Sequence, residues 1–314
     1  QAVKYASTIT AKELGTHLFT YASDDFEGRN TGEPGQKKAV EYLKNFYVSQ
    51  GIPSPISSDD YFQEVPADFL NKRKRQVSLK DSENVVAFIK GSEKPDEIII
   101  ISAHYDHVGM KNGDIFNGAD DDGSGSVAIL EIAEAFKIAE SRGLAPRRSI
   151  IFLHVTGEEK GLLGSQYYTD IEPLVPLANT VANLNIDMIG RIDPKREGKR
   201  NYLYLIGSDK LSSELHTISE TVNQKYSNIE FDYTFNDDND PNRFYYRSDH
   251  YNFAKNNVPI IFYFNGTHED YHQIGDTPDK IEYDLLENRS RLIFYTAWEL
   301  ANRDERIKVD KTSK

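Results

Sequence analysis

The chain has 314 residues, 37 basic against 50 acidic side chains, a formal net charge of −13 and no cysteine. That length is ample for a sizeable buried core. A composition of 38% apolar and 28% charged residues is globular rather than disordered. The negative balance argues against nucleic acid, whose phosphates need Lys and Arg. Absence of Cys excludes disulfides, thiolate-held zinc, iron–sulfur clusters and a thiol nucleophile, so metal or covalent chemistry falls to His, carboxylates, Ser, Thr, Lys or Tyr.

The longest apolar runs, such as 98–103 and 258–264, fall far short of the roughly 20 residues that span a bilayer. The chain opens at Gln1 with no apolar leader, and this is read as a mature exported protein, periplasmic or extracellular.

Along the chain, 11–23 carries a helical apolar stripe of Leu14, Leu18 and Tyr21, with Thr10 as its cap. A turn-rich segment at 24–35 precedes a second helix over 36–50, stopped by Gly51. Residues 52–80 read as loop, with Pro53, Pro55 and Pro66. Strands are expected at 85–89, 97–102, 148–155, 180–187, 202–206, 229–235 and 258–264, and helices at 123–139, 161–168, 211–226 and 284–302. Near-continuous apolar strands between helices indicate an α/β fold with a mixed, largely parallel central sheet covered on both faces. No linker is evident, so residues 1–314 are expected to form a single domain, with a helical segment (1–80) packed on an α/β core (80–314).

In such sheets ligands gather at the carboxyl ends of strands. Four of those ends carry His, Asp or Glu. His104-Tyr105-Asp106-His107 follows the 97–102 run, and Asp120-Asp121-Asp122 opens the next helix. Glu158-Glu159 follows 148–155, Asp187 ends the 180–187 run, and His268 to His272 follow 258–264. Each motif alone has a plain reading: a satisfied strand-end His, a solvated acidic helix start, a surface Glu pair. Asp187 is harder to dismiss, because it ends an apolar run and a buried carboxylate needs a partner. Together they are a ligand set for a divalent metal, zinc first.

These segments resemble the secreted bacterial di-zinc aminopeptidases, whose relatives include glutaminyl cyclases and glutamate carboxypeptidases. The resemblance rests on Ala103 to His107, Gly118 to Gly125, Thr156 to Glu159, Asn185 to Gly190, Ser248-Asp249-His250 and the run His268 to Pro278. It covers about residues 80–280, and the Asp25-Phe26-Glu27-Gly28-Arg29 stretch is also similar to the family's N-terminal region. It implies a zinc-exopeptidase-like fold and two Zn²⁺ ions. His104 and Asp187 are implied for one ion and Glu159 and His272 for the other, with Asp121 bridging. Glu158 is implied as general base, Asp106 as the partner orienting His104, and Tyr271 as a donor to the developing oxyanion. A cis peptide between Asp121 and Asp122 is implied as well. Three anionic ligands against four positive charges leave room for one hydroxide.

The expected activity is removal of N-terminal residues from peptides with a free N-terminus. A glutaminyl-peptide cyclase would need one zinc and no water nucleophile. A binding domain would tolerate a degraded site, and a carboxypeptidase would need a cation such as Arg191, Arg243 or Arg247. His107 is a candidate neighbour of the ligands, and Asp249 with His250 are candidates to line the substrate pocket. His17, His154 and His216 read as structural.

Overall fold

The computed structural model describes residues 1–73 and 76–312. Ten strands lie among them: β1 (Phe62–Val65), β2 (Ser82–Ile89), β3 (Lys94–His104), β4 (Gly109–Lys111), β5 (Asp114–Phe116), β6 (Arg148–Val155), β7 (Thr180–Ile186), β8 (Tyr202–Ile206), β9 (Glu230–Asp232) and β10 (Ile260–Phe264). Eight form one sheet in the order β1-β2-β6-β3-β7-β10-β8-β9, and β4 and β5 make a separate hairpin. The central neighbours β6, β3, β7 and β10 run parallel, while β2 on β6 and β8 on β10 are antiparallel. The expected mixed, largely parallel sheet is therefore present.

Both faces are covered because side chains alternate along each strand. Ile99, Ile101 and Ala103 of β3 join a core with the helices Ala11–Tyr21, Pro34–Gln50, Gly125–Ser141 and Tyr283–Asn302. Ile98 and Ile100 point the other way, to Ile151, Leu153 and Phe253. The first of those helices starts as its sequence dictates, with the Thr10 side chain accepting the Glu13 N–H. The second stops at Gly51, whose φ of +64° suits the left-handed conformation of a terminating glycine.

Boundaries depart from expectation where local pattern is thin. The 52–80 loop holds the short strand β1 and a helical turn, Ala67–Leu70. A five-residue helix, Ala2–Ala6, precedes the first expected one. The 229–235 run keeps strand pairing only over β9 and then turns into a 3₁₀ segment, Thr234–Asn236.

The N-terminal segment is fastened to the core by Arg29, which is fully buried. Its guanidinium donates to the carbonyls of Tyr105, Asn117, Gly118 and Tyr21. Three of those carbonyls belong to the loops that follow β3 and β5. Among the described residues, no helix is long and apolar enough to cross a membrane.

Candidate metal centre

Four adjacent parallel strands deliver the site at their carboxyl ends. His104 is the last residue of β3, Asp187 follows β7, Glu158 and Glu159 follow β6, and His272 follows β10. Asp121 comes from the irregular turn Ala119–Ser124 that leads into the Gly125–Ser141 helix, and its peptide bond to Asp122 is cis.

The two oxygens of Asp121 face different partners. Oδ1 lies 3.1 Å from His104 Nε2, which is also 3.6 Å from Asp187 Oδ1. Oδ2 lies 3.0 Å from His272 Nε2, which is also 3.1 Å from Glu159 Oε1. The residues expected to ligate thus converge as two sets sharing one carboxylate. Two further residues stand among them. Asp122 groups with His104 and Asp187, and His107 groups with Asp121 and Glu159.

The three consecutive aspartates do three different things. Asp120 ties loops together: Oδ1 accepts from Gly190 N–H and Ser124 Oγ, and Oδ2 lies 3.1 Å from His268 Nε2. Asp122 Oδ1 accepts the N–H of Gly125 and of Met188. Asp121 alone turns both oxygens to the histidines. His268 is therefore engaged by Asp120, away from the ligand sets.

Asp106 acts differently from the sequence expectation. His104 Nδ1 is held at 2.9 Å by the main-chain carbonyl of Asp106, while the Asp106 carboxylate stands 3.8 Å off. That carboxylate accepts from Thr31 Oγ1 and from the N–H of Glu158. It therefore anchors the Glu158 loop while its backbone orients the imidazole.

The electrostatics separate the carboxylates. Burial would raise Asp121, but the close imidazoles of His104 and His272 outweigh it and hold it well below the usual carboxylate range. Burial and Asp121 would raise Glu159, yet His107 and His272 bring it down to about 2. Glu158 goes the other way: burial pushes it well above its ordinary value, with Glu159 and Asp187 adding to the rise. Burial would lower His104, but the charges of Glu158 and Asp187 carry it well above the usual imidazole range.

A cleft opens onto Asp121, Glu158 and Asp187 and is walled by Met188, Phe244, Phe262, Phe264, Thr267, Arg247 and Tyr271. The Tyr271 ring stacks on His272 with centroids 4.1 Å apart. Burial, reinforced by the charge of Asp121, raises its hydroxyl. Of the three candidate arginines, Arg247 reaches this cleft, with its guanidinium over the Phe244 ring. Arg191 is paired with Asp270, and Arg243 lies over Tyr246.

Asp249 and His250 are not among the residues lining the cleft. The Asp249 carboxylate takes the Ser165 hydroxyl, and His250 stacks on Phe262 with Nε2 against the Tyr245 carbonyl. Ser248, one position earlier, is the member of that motif that touches a proposed ligand: its hydroxyl donates to Asp187 Oδ2 at 2.6 Å. Nothing in the spacing of Ser248-Asp249-His250 distinguishes which of the three faces inward. His17, His154 and His216 are held by Tyr42, Tyr47 and Ser208 respectively, as expected of structural histidines.

Several buried polar atoms of the site have no hydrogen-bond partner: His104 Nε2, His107 Nδ1, Asp121 Oδ2, Asp122 Oδ2 and Glu159 Oε1. Such atoms are costly unless something binds them. Nitrogen and oxygen donors in two sets around a shared carboxylate fit a pair of zinc ions.

A central parallel sheet bearing this constellation at its carboxyl edge defines a zinc-exopeptidase-like fold. Residues 84–297 match the model of peptidase family M28, and the chain belongs to that family. It is 25% identical over 305 residues to leupeptin-inactivating enzyme 1 of Streptomyces exfoliatus, covering 91% of this chain and 60% of that enzyme. The chain thus spans about three fifths of that relative's length. Its fold resembles LapB of Legionella pneumophila at a TM-score of 0.74 and 21% identity, over 96% of this chain and 75% of LapB. It also resembles a glutaminyl cyclase of Bacteroides thetaiotaomicron at a TM-score of 0.68 and 18% identity, over 92% and 98% of the two chains. At such identities these likenesses are of fold.

Proposed function

We propose that the protein is a di-zinc aminopeptidase that hydrolyses the N-terminal peptide bond of a peptide with a free N-terminus. The observation that carries this reading is Asp121, whose two oxygens face two separate histidine–carboxylate sets. His104 and Asp187 would hold one ion, Glu159 and His272 the other, with Asp121 shared. A zinc pair held there supplies a water acidified toward neutral pH and a polarised scissile carbonyl.

The chain's own residues do the rest. Glu158 takes the proton of the attacking water and delivers it to the leaving amine. Asp106 fixes the loop on which Glu158 sits, through the Glu158 N–H. The Tyr271 hydroxyl, kept protonated by its surroundings, donates to the oxygen that gains charge. Met188, Phe244, Phe262 and Phe264 offer an apolar wall to the substrate side chain. The intact donor set and general base speak against a cyclase, which needs no water nucleophile, and against a merely binding domain.

The deciding experiment measures zinc per chain beside four substrates: an aminoacyl-nitroanilide, a short peptide with both ends free, the N-acetylated form of that peptide and a glutaminyl peptide. Two zinc ions with hydrolysis of the free-amine substrate are expected. One zinc with cyclisation would overturn the reading, and preference for the acetylated form would turn attention to Arg247 and a carboxypeptidase. Export, expected from the resemblance, belongs to the same proposal and is checked by cell fractionation.

A further inference from the structure

We infer that His107 is a fourth protein donor at the ion position of Glu159 and His272; this rests on the two-metal reading above. His107 lies three residues beyond His104 and is fully buried. Its backbone is pinned, because its N–H donates to the Arg29 carbonyl and Asn30 pairs with it in an isolated parallel bridge. Gly118 makes room for its ring. A Cβ at that glycine, whose φ is +56°, would come within 2.5 Å of His107 Cγ and Cδ2.

His107 Nδ1 stands 3.0 Å from Glu159 Oε1 and 3.7 Å from Asp121 Oδ2. His272 Nε2 approaches the same two oxygens, at 3.1 and 3.0 Å. The four atoms alternate nitrogen and oxygen in a ring. Ligands of one tetrahedral zinc, with metal–ligand bonds of about 2.0–2.1 Å, lie about 3.3 Å from one another. The four sides of the ring straddle that value.

Neither nitrogen of His107 makes a hydrogen bond, despite the carboxylate 3.0 Å from Nδ1. The Nδ1 direction is thus not aimed at Glu159 as a hydrogen-bond donor would be. His104 Nε2, a proposed ligand, carries the same signature: buried, close to carboxylate oxygens and without a hydrogen bond. A buried imidazole with both nitrogens unmatched is costly, and an ion among the four atoms satisfies Nδ1.

The test uses X-ray absorption at the zinc edge on the full, zinc-loaded chain, together with calorimetric titration of the metal-free protein with Zn²⁺. The expected result is three imidazoles shared between two ions in the wild type and two in His107→Ala. One of the two sites should weaken by about 100-fold or more, beyond the 10–100-fold typical of outer-shell partners. His107→Gln, which fills the space, replaces His107→Ala if that variant's metal-free form fails to fold by circular dichroism. Two imidazoles in the wild type, or a variant with unchanged zinc affinities, would overturn the inference. Failure of the wild type to take up two ions would instead overturn the two-metal reading beneath it.

Discussion

The carboxylate of Asp276 receives the backbone N–H of Asp121 at 3.1 Å, and that of Asp120 as well. The shared ligand is therefore positioned through its main chain by a residue that never faces the ions. Asp276→Ala should leave the fold intact and lower zinc affinity by about 10-fold or more, the scale of an outer partner. Zinc titration monitored by calorimetry checks this, with Asp276→Asn expected to fall between the variant and wild type.

Glu158→Gln should lower kcat by about 10²–10⁴-fold, the range of a lost general base. Its zinc content should match that of the wild type, because Glu158 is assigned to protons rather than to metal. Elemental analysis and nitroanilide turnover on one preparation separate the two effects. Unchanged turnover would remove Glu158 from the mechanism.

Ser248→Ala removes the hydroxyl that donates to Asp187 Oδ2. We expect about a 10–100-fold loss of affinity at one of the two sites. Substituting Ser165, which holds Asp249 instead, should not produce that loss. Competition with a zinc chelator reads both variants.

Much of this was legible from residue types at strand ends. Helix caps and apolar runs located most of the sheet, because Thr10 and Gly51 carry their meaning in their own chemistry. His104, Asp121, Glu158, Glu159, Asp187 and His272 are brought together as the motifs suggested. Less legible was which member of a short polar cluster turns inward. Ser248, Asp276 and the backbone oxygen of Asp106 owe their parts to loop geometry, which leaves no periodic trace. The β4–β5 hairpin and the short strand β1 are equally quiet, being three or four residues long.

Burial holds His154 at about 3, and likewise His250, against 6.5 for an exposed imidazole. The folded state therefore excludes protons that the unfolded chain accepts. Their contribution is full above pH 6.5 and is lost as pH falls toward 3. His154→Gln should flatten this dependence relative to wild type, by up to about 1.4 kcal/mol per pH unit. Urea unfolding of both proteins between pH 4 and 7 checks the sign: the wild type must lose more on acidification.

Arg29→Met would leave the carbonyls of Tyr21 and Asn117 without a donor, while Tyr105 keeps the Tyr21 hydroxyl and Gly118 the Gly123 N–H. Unsatisfied buried acceptors cost about 1–3 kcal/mol each, so a loss of several kcal/mol is expected. Thermal unfolding measures it. Arg29 lies upstream of the family-matched residues, so a fragment confined to 84–297 should be less stable than the whole chain.

The proposed ligands are spread from His104 to His272, on four strands whose spatial order is not their order in the chain. No short stretch can hold an ion by itself, as a zinc finger does. Metal capture must follow closure of long-range pairings, which are the slow part of folding. Occupancy then reports that the sheet is finished. On the proposed reading, a newly made chain would become active only once β10 has joined β7.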